Sequence, residues 1–381
     1  MFNRKYLLSF VLTLTACLLI SQVAMPSISV NAGQDPYGPE QPEKPAAVGP
    51  DKFPVGYNPL TGLPVEDPAL LELPPALVSV TNFPVSARPQ AGLSTSPYVF
   101  EMYIGKGMTR LLAMFYGSYP EIAGSGSAGV RTDNAGIGPI RSGRLPYEKI
   151  RKLYSATLIM AGASSEVGAQ LNSSSTIFGS DRDDINSAMI DVTRLEKIAE
   201  TNRARMSAPL NLTGNRFTTA VPAGGKGAGR LWVFYNFYNQ IEWKYDQAEG
   251  AYLRAQDKAD GSGKFYPSTD RLTGEQLAFE NVVVLFAEHT VRTPTIIDIN
   301  LLYTTRPALL FRDGKVYKLF WTTMNGDYEK TTGRLRPLRF VDADGQAFPL
   351  KPGQTWVEIV TPAATAQEIE AGDWKVRFYA P

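Results

Sequence analysis

The chain has 381 residues, with 38 Lys and Arg against 37 Asp and Glu, and 44% of its side chains are hydrophobic. That is enough apolar material for a sizeable core, and the near-neutral balance excludes a generally polyanion-binding protein, which carries a basic surplus that releases counterions. A single histidine, His289, and a single cysteine, Cys17, exclude a His-built zinc site and any intramolecular disulfide, so no metal and no cofactor is expected.

Residues 1–32 read as a signal peptide. Arg4 and Lys5 give a positive start, residues 6–20 carry no charge, and Val30-Asn31-Ala32 places small residues where a signal peptidase reads them. The apolar run is too short to be read as a membrane span. Leu14-Thr15-Ala16-Cys17 also matches a bacterial lipobox, in which Cys17 would be acylated and become the new N-terminus. Either route puts the folded part outside the cytoplasm, secreted or anchored to the outer face of the cell membrane. The membrane is then met only through a lipidated N-terminus.

Residues 33–56 hold six prolines and no apolar run, the composition of an extended spacer. A first globular segment, 57–213, begins at a turn signature, Asn58-Pro59-Leu60-Thr61-Gly62. Residues 76–81 and 98–104 read as strands, with Val99, Glu101 and Tyr103 on one face of the second. Residues 110–116 and 156–161 are near-continuous apolar runs, the pattern of strands buried on both sides. Residues 146–154 open with a proline suited to a first helical turn. Thr193 with Glu196 suggests a capping box for a helix running to about Arg205.

Residues 214–229 are glycine-rich and lack the Gly-Lys-Ser/Thr ending of a phosphate-binding loop. They read as a linker, across which limited proteolysis should release two folded pieces. The segment 230–381 then carries short strands at 231–238, 251–254, 281–286, 308–311, 316–321, 355–360 and 374–379. Asp313-Gly314 between two apolar runs is a hairpin signal. The expected class is α+β, with an N-terminal layered sheet/helix domain followed by a mainly β C-terminal domain.

Five arginines fall between positions 88 and 144: Arg88, Arg110, Arg131, Arg141 and Arg144. Arg141, Ser142 and Arg144 lie in a Gly/Pro turn leading into a helix, whose first N–H groups would suit a carboxylate or phosphate. Glu101 sits in an apolar strand and is costly to bury without a cation, for which Arg110 and Arg141 are the candidates. The competing reading is a buried ion-pair network with a structural role. His289 reads as a strand-end residue, and Asp181, Asp183 and Asp184 as a solvated loop. Trp232, Phe234, Tyr235, Phe237 and Tyr238 suggest a sugar-stacking face, although such density on one strand favours core positions for most of them.

At these residues the chain resembles the YerB-like family of bacterial envelope lipoproteins. The matching elements are Asn58-Pro59-Leu60-Thr61-Gly62-Leu63, Arg88-Pro89-Gln90-Ala91-Gly92-Leu93, Gly107-Met108-Thr109-Arg110 and the stretch from Ile137 to Arg144. The second half adds Glu280-Asn281-Val282-Val283-Val284, Tyr317-Lys318-Leu319-Phe320-Trp321 and Pro352-Gly353-Gln354-Thr355-Trp356. The resemblance implies an α+β domain, a β-rich domain and an envelope location, and it supplies no reaction. Two departures stand out: a Gly/Ser-rich insertion at 117–136, and Met160 where relatives often carry a histidine.

The expectation is therefore a non-enzymatic envelope protein that binds a glycan, peptide or protein and no nucleic acid. Asn82, Arg88, Glu101, Arg110, Arg141, Ser142 and Arg144 are its ligand-binding candidates. The alternative is a hydrolase or transferase acting on a cell-wall polymer, with Glu101 as acid or base and the Arg141/Arg144 turn holding an anion. Access to Glu101 separates the two: an enzyme needs it reachable from a cleft, a structural pair keeps it sealed.

Overall fold

The computed structural model describes residues 47–120, 136–173, 175–176 and 188–381. The expected signal peptide, Cys17, most of the proline-rich spacer, Arg131, most of the 117–136 insertion and Asp181, Asp183 and Asp184 lie outside the described residues.

The first half supplies β1 (Ala76–Val80), β2 (Tyr98–Gly105), β3 (Met108–Phe115), α1 (Pro146–Leu153), β4 (Thr157–Met160) and α2 (Val192–Arg203). The second half opens with β5 (Arg230–Asn236), β6 (Asn239–Asp246), β7 (Ala251–Asp257), β8 (Phe265–Pro267) and β9 (Asn281–Phe286). It continues with β10 (Thr305–Arg312), β11 (Lys315–Thr322), α3 (Asp327–Thr332), β12 (Thr355–Val360), β13 (Thr365–Glu370) and β14 (Asp373–Arg377). The apolar runs form strands as their sequence predicts, and β2 is buried along its whole length. Pro146 starts α1, and Tyr147, Ile150 and Leu153 form its buried face. For α2 the cap is Asp191, whose side chain accepts from the Thr193 N–H, so the expected Thr193/Glu196 box gives way to a better acceptor two positions earlier. Asp313 (φ 53°) and Gly314 (φ 65°) make the expected hairpin turn between β10 and β11.

An eleven-stranded sheet runs β11-β10-β9-β12-β2-β3-β1-β4 through its middle, with short strands at its rims. Within it β12 lies between β9 and β2 and is parallel to both. A seven-stranded sheet, β8-β7-β6-β5-β14-β13, covers one face. Val99, Leu111, Val282 and Trp356 of the first sheet meet Leu231, Val233, Ile241, Trp243 and Val376 of the second in one core. On the opposite face Phe100, Met102, Leu112 and Met114 pack against Tyr147, Ile150 and Leu153 of α1.

This arrangement changes two readings of domain organisation. Segments 57–213 and 230–381 are distinct in sequence, yet they do not pack as separate bodies: their strands form two contiguous blocks of one sheet, joined at the β12–β2 pair, and 45–381 is one compact unit. The folded part also starts earlier than expected, because Ala47–Val48 pairs with Arg216–Thr218, inside the supposed linker. Gly107, at the β2–β3 turn, shows how closely the layers meet. Its carbonyl accepts from Asn236 Nδ2 and Asn239 Nδ2, both at 3.1 Å, and a Cβ there would lie 1.7 Å from Asn236 Nδ2.

Candidate functional site

Strand parity separates the candidate residues. Glu101 shares its side of the central sheet with Val99 and Tyr103, facing the second sheet. Arg110 is registered opposite Met102, on the face that α1 covers. It therefore cannot be the partner of Glu101, and neither is Arg141. The partner is Arg254 on β7, whose Nη2 lies 2.9 Å from Glu101 Oε2.

Both groups are sealed from solvent, with Glu101 0% and Arg254 2% exposed. Glu101 Oε1 accepts from Asn82 Nδ2 (3.0 Å) and Thr109 Oγ1 (2.6 Å). Arg254 donates through Nη1 to Gln256 Oε1 (3.0 Å) and Ser268 Oγ (2.8 Å), and its guanidinium lies 4.7 Å above the Trp356 ring. In the parallel register Glu358 on β12 stands beside Glu101, also fully buried. Trp243 Nε1 and Tyr235 OH each donate to it at 3.2 Å. Burial and the neighbouring Glu101 charge push its carboxyl up to about 8, against the opposing pull of Arg254. Glu358 is thus protonated at neutral pH, and the single Arg254 charge balances Glu101.

Asn82 links this buried network to the surface. Its Oδ1 accepts from Arg88 Nε (3.1 Å) and Gln90 Nε2 (3.3 Å). Arg88 also donates Nε to the Asn82 carbonyl (3.0 Å) and Nη1 to the Asp257 carbonyl (2.7 Å). Burial, then repulsion from Arg254, lowers its pKa to about 10, leaving it charged at neutral pH. Burial raises the Asp257 carboxyl, while nearby backbone N–H groups of Gln240 and Ala259 and the Arg88 charge oppose the shift. Those N–H groups are near but not aligned for hydrogen bonding, so both buried Asp257 carboxylate oxygens lack a partner of good geometry, as does buried Arg88 Nη2. Among the described residues no ion pair joins the two side chains. Both line a cavity of about 230 Å³ whose walls include Val85, Pro89, Tyr266 and Pro267.

The other candidates form a separate cluster on the helix side. Arg141 Nε donates to Thr81 Oγ1 (3.1 Å), and Arg144 Nη1 reaches the Thr295 carbonyl at 3.4 Å. Ser142 takes part through its carbonyl, 3.4 Å from Arg110 Nη1 and 3.3 Å from Ser79 Oγ. At the start of α1 the Tyr147 and Glu148 N–H groups donate back to Arg144 and Leu145 carbonyls (3.1 and 3.4 Å). The expected anion cradle is thus largely occupied by the turn itself. His289 faces the Ala287 carbonyl through Nδ1 (2.8 Å) and packs edge-on to Phe378; burial lowers its pKa to about 4. Of the five aromatics in β5 and its turn, only Tyr235 is core; Phe237 and Tyr238 are exposed and Trp232 and Phe234 half-buried. Residues and turn together defeat the expectation of a mostly buried set, because β5 lies in a sheet with one face toward water.

Arg254, Asp257 and Glu358 were missed in the sequence. Glu358 carried the same signal as Glu101, a carboxylate inside an apolar strand (Thr355–Val360), and Arg254 its cationic counterpart in Ala251–Asp257. Among the described residues no group of three or more His, Cys, Asp or Glu could hold a metal ion, and no helix is long and apolar enough to cross a membrane.

Two family models match in order: the N-terminal domain of a protein of unknown function (DUF3048) over residues 60–212, and the C-terminal domain of the same family over 232–357. The gap between them falls on the glycine-rich segment. "Putative lipoprotein YerB" of Bacillus subtilis (strain 168) is 28% identical over 330 residues, spanning 83% of this chain and 89% of that protein. The crystal structure of YerB protein from Bacillus subtilis superimposes with a TM-score of 0.58 at 25% identity, covering 80% of this chain and 96% of that one. Carrying both domains in sequence and sharing the fold of that relative, the chain belongs to the YerB-like DUF3048 family.

Proposed function

We propose that this protein is exported to the cell envelope and binds one sugar unit of a glycan in the Arg88–Asp257 cavity. The observation that carries the reading is a pair of residues lining it whose polar atoms are buried without a hydrogen-bond partner: both Asp257 carboxylate oxygens and Arg88 Nη2. A carboxylate that accepts from neighbouring hydroxyls, with apolar walls at Tyr266 and Pro267, suits a saccharide ring. The volume, about 230 Å³, has room for a single ring. The hydrolase alternative loses its acid: Glu101 is sealed, it is absent from the cavity lining, and it lies across the sheet from Arg141 and Arg144.

The relative's lipoprotein name supports an envelope location. The finer reading, cleavage after Ala32 so that the mature chain starts at Gly33, rests on residues 1–32; intact-mass analysis decides between that and an acylated Cys17. For the ligand, NMR titration with β-1,4-linked N-acetylglucosamine oligosaccharides is the test. Shift changes should be confined to the cavity, and Asp257→Asn should weaken binding about tenfold without altering the fold, the loss of one charge-assisted hydrogen bond. Equal binding by Asp257→Asn and Arg88→Lys would remove the proposal.

A further inference from the structure

We infer that a second site, the cleft where the C-terminal ends of α1, α2 and α3 meet, binds a phosphate-bearing sugar. The cleft holds about 540 Å³, and Arg151, Lys152, Arg205 and Arg334 line it together with Asn172, Asn202 and Tyr303; among the described residues no carboxylate does. The net charge of the whole chain conceals this local surplus.

Cations at helix C-termini have an ordinary explanation, since they complement the negative end of the helix dipole. Here the helix-end carbonyls are already met by backbone. Arg151 and Lys152 carbonyls accept from the Ala156 and Ser155 N–H groups (2.9 and 3.4 Å). Asn202 and Arg203 carbonyls accept from Arg205 and Met206 (both 3.0 Å), and the Glu329 carbonyl from Gly333 (2.9 Å). The side chains are not needed as caps.

Nor are most of them neutralised. Arg151 is committed to Glu148 through two hydrogen bonds (2.9 and 2.7 Å). Lys152 reaches the same carboxylate only at 3.9 Å and is half exposed. The Arg334 side chain has one long contact, Nη1 to the Pro209 carbonyl at 3.4 Å. Arg205 has no side-chain hydrogen bond or ion pair among the described residues. Three cations without a carboxylate of their own, two of them guanidinium forks, suit a doubly charged phosphate monoester. A recess of this volume lies in the range of small-molecule sites and also admits the sugar, with the exposed Tyr303 ring at its rim. A membrane surface is flat and would not fill it, and a nucleic acid needs an extended basic face, whereas these cations converge on one recess.

The site shares no residue with the Arg88–Asp257 cavity, so each reading stands or falls alone. The experiment is calorimetric titration of the full mature protein with glucose 1-phosphate, alongside phosphatidylglycerol vesicles and a single-stranded oligonucleotide. The sugar phosphate should bind, more weakly at higher salt. Arg205→Ser with Arg334→Ser should weaken it at least about tenfold at unchanged melting temperature, and the corresponding double Lys variant should fall between, keeping charge but losing the fork. Measured on an Asp257→Asn background, which removes any contribution of the other cavity, the salt-dependent binding should persist. Unchanged affinity in the double Ser variant, or binding to vesicles or oligonucleotide with none to the sugar phosphate, would overturn the assignment.

Discussion

Glu358 gives the protein a pH dependence that can be worked out in sign and size. Its folded-state pKa is about 8, raised by burial and by Glu101, against about 4.3 in an unfolded chain. Between those values the native state holds a proton that the unfolded state has lost, so stability falls as pH rises, by about 1.4 kcal/mol per pH unit. His289 acts in the opposite sense. Burial lowers it to about 4, against about 6.5 when unfolded, so below pH ~6.5 its neutral native form makes stability rise with pH. From about pH 4.5 to 6.5 the two slopes oppose each other; from about 6.5 to 8 only that of Glu358 remains, a loss of about 2 kcal/mol over the window. Glu358→Gln preserves shape and offers an amide that can donate to the Tyr235 hydroxyl, which then accepts, while the Trp243 N–H keeps its acceptor. Urea unfolding at the two ends of that window should show the midpoint of the parent protein falling and that of the variant staying level. A variant with the parent's slope would place the titrating proton elsewhere and refute the account of this carboxyl pair.

Two further outcomes follow from the same architecture. Glu101→Gln strands the buried Arg254 and should cost about 3–5 kcal/mol; adding Arg254→Met should recover much of it, whereas Arg141→Ala should show no coupling to Glu101 in a double-mutant cycle. A protease nick in the exposed stretch 223–225 should leave both pieces bound to each other on size exclusion in native buffer, because β12 of one pairs with β2 of the other and both contribute to one core. Separate elution would mean two independent bodies.

The strands were legible because burial on both faces leaves an unbroken apolar run, and the β10–β11 hairpin because Asp313-Gly314 accepts positive φ. A carboxylate at Glu101 was equally visible as a buried charge. Its partner was not: Arg254 lies 153 positions away, and no local pattern reports which strand of a second sheet crosses above. Strand parity did contain the information that excluded Arg110, since odd and even positions of a strand face opposite ways. The glycine-rich segment falls in the gap between the two matched domains, yet it does not separate two bodies. Composition describes local stiffness, whereas β12 joining β2 is a contact between residues some 250 positions apart.

That contact also governs what an incomplete chain can be. β2 has a neighbour in β3 by way of a tight turn, but its other side waits for residues 355–360, as does one side of β9. During synthesis or after truncation, two half-sheets exist with unfilled rows of N–H and C=O groups along apolar strands, each a template for the wrong molecule. Closure across so long a loop is slow compared with local hairpin formation. A product ending before Thr355 is therefore destined for self-association, and loss of the last thirty or so residues should abolish soluble protein where loss of a surface loop would not.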